Sequence, residues 1–158
     1  MLIKSKQLGY MDTVLPSLGT TVQAALDSAK GLFIARATAS LNLAALQALP
    51  GSTATVNVGS ALPASARVLG AEVIVAQGFS GTLLTAALAT VQGQGDAAGS
   101  LVAASTLLAA ASLATPGLNP YLSRGGQQLQ ATIALTGIGF SSLTGGAVTF
   151  NVFYAAVA

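Results

Sequence analysis

The sequence of 158 residues contains no cysteine, no histidine and no tryptophan. The absence of cysteine excludes disulfides, thiolate metal sites and thiol nucleophiles. The absence of histidine removes the commonest general acid–base group and the usual nitrogen ligand of zinc. Sugar sites that stack a ring on tryptophan are also excluded. The remaining route to catalysis is a pair of carboxylates.

Charged residues are scarce, at 6% of the sequence, whereas an average soluble domain has about 25%. The surface must therefore consist largely of neutral residues or be buried against other protein, so we expect the chain not to act as a lone monomer. The net charge of +2 comes without a basic cluster. Nucleic acid is consequently not an expected partner.

The charges are concentrated near the N-terminus. Six of them lie in the first 36 residues, namely Lys4, Lys6, Asp12, Asp27, Lys30 and Arg36, and the remaining 122 residues contain only Arg67, Glu72, Asp96 and Arg124. This distribution predicts a polar N-terminal arm, residues 1–31, followed by a nearly uncharged domain, residues 32–158. No secretory signal is expected, because Gly9, Tyr10, Asp12 and Pro16 interrupt any apolar segment.

A membrane span is the first alternative to consider, since the mean hydropathy is +0.72. The uncharged stretch at residues 97–123 is long enough to cross a bilayer. Half of its apolar residues are alanine, however, and Pro116 and Pro120 interrupt it. No aromatic belt flanks it. The sequence therefore predicts no membrane partner.

The arm is predicted to contain one short helix. Thr20 or Thr21 caps it, Lys30 lies in its last turn and Gly31 ends it. Four apolar residues share one face of this helix, at Val22, Ala25, Leu26 and Ala29. The face packs on the chain's own domain or on a neighbour.

After Gly31 the hydrophobic period changes from helical to two, which is typical of strands with one wet face. Strands are predicted at residues 35–43, 53–58, 67–76, 128–136 and 148–154. Residues 83–92 and 101–113 are ambiguous between helix and strand, because alanine and leucine favour helix while their neighbours favour strand. Prolines and glycines in residues 115–126 predict a long irregular connection. The sequence thus predicts an all-β fold, a jelly roll or β-sandwich of about eight antiparallel strands.

No catalytic, cofactor or metal site is predicted. The four acids are scattered, and the one conceivable glycosidase pair, Glu72 with Asp96, comes from a strand and a loop. Gly93, Gly95 and Gly99 have the spacing G-x-G-x-x-x-G, which does not match a dinucleotide-binding loop and indicates a turn instead. Ser80 has no histidine to activate it. Asp96 is a single carboxylate, whereas a calcium site usually needs several oxygen ligands.

The three tyrosines are possible recognition residues. Tyr121 falls in the Pro/Gly segment, which predicts an exposed ring, whereas Tyr154 alternates with Phe150 and Val152, which predicts a core position. Tyr10 belongs to the arm.

Four segments of the domain resemble small virion proteins of tailed phages, in particular the jelly-roll capsid decoration, or cement, proteins. They are residues 62–73 (LPASARVLGAEV), 78–81 (GFSG), 92–96 (QGQGD) and 143–154 (LTGGAVTFNVFY). The resemblance covers roughly residues 50–154 and does not extend to the arm. It implies an oligomer on the outer surface of an icosahedral head that clamps neighbouring major capsid subunits.

The partners implied by this resemblance are the major capsid protein and further copies of the chain, as a trimer or dimer. Candidate capsid contacts are Lys4, Lys6, Tyr10 and Lys30, because arm lysines can meet an acidic capsid surface. A head-fibre or tail-fibre module that recognises a host glycan is the alternative, and a membrane-active protein is a third.

Overall fold

Eight β-strands make up most of residues 32–122 and 126–157, which are the residues that the computed structural model describes. The strands are β1 (Leu32–Leu41), β2 (Thr53–Asn57), β3 (Arg67–Ser80), β4 (Ala86–Gly93), β5 (Val102–Thr106), β6 (Ala111–Leu122), β7 (Leu129–Thr136) and β8 (Gly145–Val157). One short helix, α1 (Leu43–Gln47), and a 3-10 turn at Phe140–Ser142 accompany them. The all-β prediction is confirmed.

The strands form two four-stranded sheets. Sheet A has the order β1-β8-β3-β6, and sheet B has the order β2-β7-β4-β5. The first strand therefore pairs with the last, the second with the seventh, the third with the sixth and the fourth with the fifth. This is the pairing of one long hairpin rolled into two sheets, and it identifies the fold as a jelly roll.

The alternation of side chains places the core between the sheets. In β7, Leu129, Ala131 and Ile133 are fully buried, while the polar residues between them face outward. Sheet A contributes Val73 and Phe150 to the same core. In β3, Val73 and Val75 are buried whereas Glu72 and Ile74 are half-buried, which is the alternation that the period of two predicts for a strand at residues 67–76.

The five predicted strands are confirmed with small shifts in their ends; β3 continues through Gly78 to Ser80. The ambiguous segments are strands: residues 83–92 contain β4, and residues 101–113 contain β5 and the start of β6. Non-local pairing explains this outcome, because β4 lies between β7 and β5 and its backbone groups bond to both.

The irregular connection predicted at residues 115–126 is wrong, since β6 extends to Leu122. Its backbone pairs with β3, with Pro116 opposite Gly70 and Leu122 opposite Arg67; a register shift between Val68 and Gly70 separates these pairings, and Pro120 falls within it. The strand tolerates two prolines because it is an edge strand of sheet A, where a missing N–H disrupts no central ladder.

Helix α1 was not predicted. Asn42 caps it, with the Ala45 backbone N–H donating to Asn42 Oδ1 at 2.9 Å, and Leu46 anchors it in the core. The predicted arm and its helix, residues 1–31, lie outside the described residues. The domain boundary after residue 31 stays a prediction.

Candidate interaction surfaces

Within residues 32–122 and 126–157, no three potential metal-ligating side chains come together. Over the same residues, no helix has the length and apolarity needed to cross a membrane. The two acids in this part of the chain lie on different elements, Glu72 on β3 and Asp96 in the β4–β5 loop. Each of them accepts hydrogen bonds from neutral amide or hydroxyl groups.

A row of hydrogen-bonded side chains crosses the outer face of sheet A. Thr38 on β1 donates to Asn151 Oδ1 on β8. Asn151 Nδ2 donates to Glu72 Oε2 on β3 at 3.2 Å, and Ser112 Oγ on β6 donates to Glu72 Oε1 at 3.0 Å. The row therefore links all four strands of the sheet through one carboxylate.

The two central members of this row have a structural role. Asn151 is only 3% exposed although it faces away from the core, so its amide depends on Thr38 and Glu72 for hydrogen bonds. Both carboxylate oxygens of Glu72 accept a hydrogen bond from a neutral donor. This arrangement holds the carboxylate in place across the strands and does not pair it with a second acid.

Hydrogen bonds connect the β4–β5 loop to the segment before β7. Gln127 Nε2 donates both to Gln94 O and to Asp96 Oδ2, each at 3.1 Å. Gly93 is necessary for this contact, because a Cβ at that position would overlap the Gln127 amide and the Asp96 carboxylate. The loop connects two strands and does not lead into a helix. It is therefore the turn that the glycine spacing predicted, and it is not a phosphate-binding loop at a helix N-terminus.

The outer face of sheet B carries no charged residue; we call it the threonine face. It includes these outward residues of four strands: Thr53, Thr55, Asn57, Ala86, Leu88, Thr90, Gln92, Thr106, Gln130, Thr132, Ala134 and Thr136. Thr132 Oγ1 lies 3.0 Å from Thr55 Oγ1 and accepts from Gln92 Nε2 at 2.9 Å. Hydroxyl and amide groups thus form a neutral network across β2, β7 and β4.

Large apolar side chains are exposed at several separate positions. Leu88 lies on the threonine face and is 41% exposed, whereas Leu83, in the β3–β4 connection, is 67% exposed. Ile34 on β1, Leu69 on β3 and Leu108 in the β5–β6 connection are also exposed. Leu83 therefore provides a matched reference for Leu88, with the same side chain on a different surface.

The predicted capsid contacts Lys4, Lys6, Tyr10 and Lys30 all lie outside the described residues. Tyr121 does not lie in an irregular loop as predicted, since its backbone belongs to β6. Tyr154 packs against the core, which confirms its predicted position. The threonine face was missed by the sequence analysis, although the alternate positions of residues 53–57 and 130–136 are all uncharged and all but Ala134 are polar.

No protein-family model matches the chain, and no curated protein matches it. Among solved structures, a chain of the "Cyanophage Pam1 capsid asymmetric unit" is similar, with a TM-score of 0.51 and 20% sequence identity. The similarity covers 79% of this chain and 84% of that chain. The two proteins share a fold, and the comparable coverage means that they are of similar length.

Proposed function

We propose that the chain is a capsid decoration, or cement, protein of a tailed bacteriophage. In this role it binds the outer surface of the head and stabilises contacts between neighbouring major capsid subunits. The observation that carries the proposal is the eight-stranded jelly roll, which the chain shares with a polypeptide of similar length from a phage capsid asymmetric unit.

The surface of the domain supports this role. The described part of the chain contains four charged residues, Arg36, Arg67, Glu72 and Asp96. Burying a neutral surface avoids the desolvation of unpaired charges. Each contact with a shell then adds buried apolar area, and many copies multiply weak contacts into firm attachment. Such a protein reinforces a shell without needing strong ion pairs.

The chemistry of the two described acids supports a structural role over a catalytic one. Glu72 is held by Asn151 and Ser112, and Asp96 by Gln127. The sequence has no histidine or cysteine to act beside them. We therefore propose that the chain is not an enzyme and needs no cofactor.

The proposed partners are the major capsid protein and further copies of the chain, with no nucleic acid or membrane. The arm supplies the proposed polar contacts to the shell through Lys4, Lys6, Tyr10 and Lys30, and the neutral domain supplies apolar burial.

The test is to mix the purified protein with empty phage heads that lack it and to image the particles by electron microscopy. We expect added density on the outside of the shell at regular positions, and a higher melting temperature of the decorated heads. Particles without added density would contradict the proposal. If the protein then bound a host glycan on an array, the fibre module would replace the cement role.

A further inference from the structure

The hydrogen bonds between β1 and β8 show how these two strands are aligned. Thr38 on β1 donates to Asn151 on β8, and two residues further along, Ser40 Oγ lies 2.9 Å from Thr149 Oγ1. The residue number rises along β1 while it falls along β8, so the strands are antiparallel and these residues face each other across the pair. The remaining outward residues of the two strands follow in the same alignment.

Both cationic side chains of the described residues flank the same part of β8. The alignment with β1 places Arg36 opposite Phe153, and the pairing with β3 places Arg67 opposite Ala155. Phe153 and Ala155 are successive residues on one side of β8, because side chains along a strand alternate between two faces. The two arginines therefore approach one region of the outer face of sheet A from opposite strands.

The described acids do not neutralise these two arginines. Arg36 and Arg67 are both exposed. Glu72, the acid on the same face, accepts hydrogen bonds from neutral groups on β6 and β8, and Asp96 lies in the β4–β5 loop. Among the described residues, this region of sheet A thus carries two positive charges and no paired carboxylate, which makes it complementary to an acidic partner.

Exposed apolar side chains lie beside the two arginines. Ile34, two residues before Arg36 on β1, is 72% exposed, and Leu69, two residues after Arg67 on β3, is 45% exposed. Phe153 between the two strands is half-buried. We call Ile34, Arg36, Arg67, Leu69 and Phe153 the arginine patch. Arginine and aromatic side chains together with apolar ones are the residue types that protein interfaces favour.

On the basis of the proposed capsid role, we propose that the arginine patch is the surface through which the domain contacts the phage head. Its partner there is a carboxylate-bearing surface of the major capsid protein. A guanidinium group binds a carboxylate through two parallel N–H donors, which a lysine cannot do. The apolar neighbours supply most of the buried area, and the arginines fix the orientation of the contact. Ion pairs enclosed in this way are screened by salt less than exposed pairs.

The chain connectivity also supports this partner. Residues 1–31 lead directly into β1, of which Ile34 is the third residue. Lys30, a proposed shell contact of the arm, is six residues before Arg36, so their Cα atoms are at most about 20 Å apart. A head surface that is reached by the end of the arm is therefore within reach of the arginine patch.

The test measures binding of the full chain to empty phage heads that lack it, by cosedimentation over a range of concentration. The double variant Arg36→Gln with Arg67→Gln removes both charges. We expect its affinity for the heads to fall at least about tenfold, at low and at high salt, because two charge-assisted contacts are lost. The control, Thr53→Glu with Ala104→Glu, lowers the net charge equally at exposed positions on the edge strands of sheet B. It should bind like the wild type.

A second pair of variants tests the apolar part of the patch. Ile34→Ser should weaken binding to the heads about fivefold, because it removes apolar area from the contact. Leu83→Ser, in the β3–β4 connection, changes a side chain that is 67% exposed and should leave the affinity unchanged. All four variants alter exposed side chains, so each should keep the circular dichroism and the melting temperature of the wild type.

The proposed contact is excluded if the wild type decorates the heads and the glutamine variant binds equally well; the capsid role would then stand with another contact surface. It is also excluded if the glutamine and glutamate variants lose the same affinity, since net charge alone would be responsible. A glutamine variant with a lower melting temperature and unchanged binding would assign the arginines to a contact within the chain. A wild type that leaves the heads bare contradicts the capsid role itself.

Discussion

The side chain of Asn151 must be an amide, because it has to accept one hydrogen bond and donate another. It accepts from Thr38 and donates to Glu72 while only 3% exposed. In Asn151→Asp, two carboxylate oxygens would face each other, so we expect a loss of about 2–4 kcal/mol in unfolding free energy. Denaturant unfolding at neutral pH measures it. Asn57→Asp, on the exposed end of β2, should change stability by less than ~0.5 kcal/mol.

Exchanging the two groups provides the decisive control. In the double variant Asn151→Asp with Glu72→Gln, the glutamine amide can donate to the new carboxylate, while Thr38 and Ser112 keep their acceptors. We expect most of the lost stability to return. If the double variant were as unstable as the sum of the single ones, the row across sheet A would not be the cause.

Gly137 and Gly95 have similar positive φ angles but different surroundings. Their φ angles are 96° and 86°, a region that costs an alanine about 1–2 kcal/mol. A Cβ at Gly95 meets open space, whereas one at Gly137 would overlap the Leu83 carbonyl oxygen. We expect Gly137→Ala to lose an additional ~1–3 kcal/mol over Gly95→Ala. Equal thermal shifts would contradict the contact.

At the scale of elements, the β4–β5 loop depends on one side-chain bridge. The substitution Asp96→Ala removes the carboxylate that accepts from Gln127 Nε2, while the hydrogen bond from Gln127 Nε2 to Gln94 O is kept. We expect a stability loss of about 1 kcal/mol and faster amide exchange in residues 94–101, measured by hydrogen exchange. Ser100→Ala, in the same loop, is the control. Equal exchange in both variants would show that the bridge does not hold the loop.

At the scale of the whole molecule, the low charge of the domain makes a prediction about attachment. Binding of the full chain to empty heads should vary little between low and high salt, because apolar burial and neutral hydrogen bonds are weakly screened. Deleting residues 1–30 removes Lys4, Lys6 and Lys30, so it should weaken binding and abolish the remaining salt dependence. Sedimentation with empty heads measures both effects.

The truncated protein should still give the circular dichroism of a β protein, because the buried core cluster lies within residues 37–156. A strong salt dependence that survives the truncation would mean that the domain's own charges, such as Arg36 and Arg67, make the contact.

The sequence by itself determined which residues form strands and which way they face, where the strands alternate cleanly. Val73, Ile133 and Phe150 are buried as the period of two predicted, because in an extended chain successive side chains must point to opposite sides. The absence of histidine and cysteine limited the chemistry in the same direct way. These properties follow from each residue and its near neighbours.

Tertiary structure alone decided what depends on distant pairing. The jelly-roll order, the strand identity of residues 83–92 and the continuation of β6 past Pro116 depend on partners far along the chain. The row from Thr38 to Ser112 and the threonine face also exist only once strands become neighbours. The physical reason is that sheet hydrogen bonds form between segments, so no local pattern specifies which strand completes which sheet.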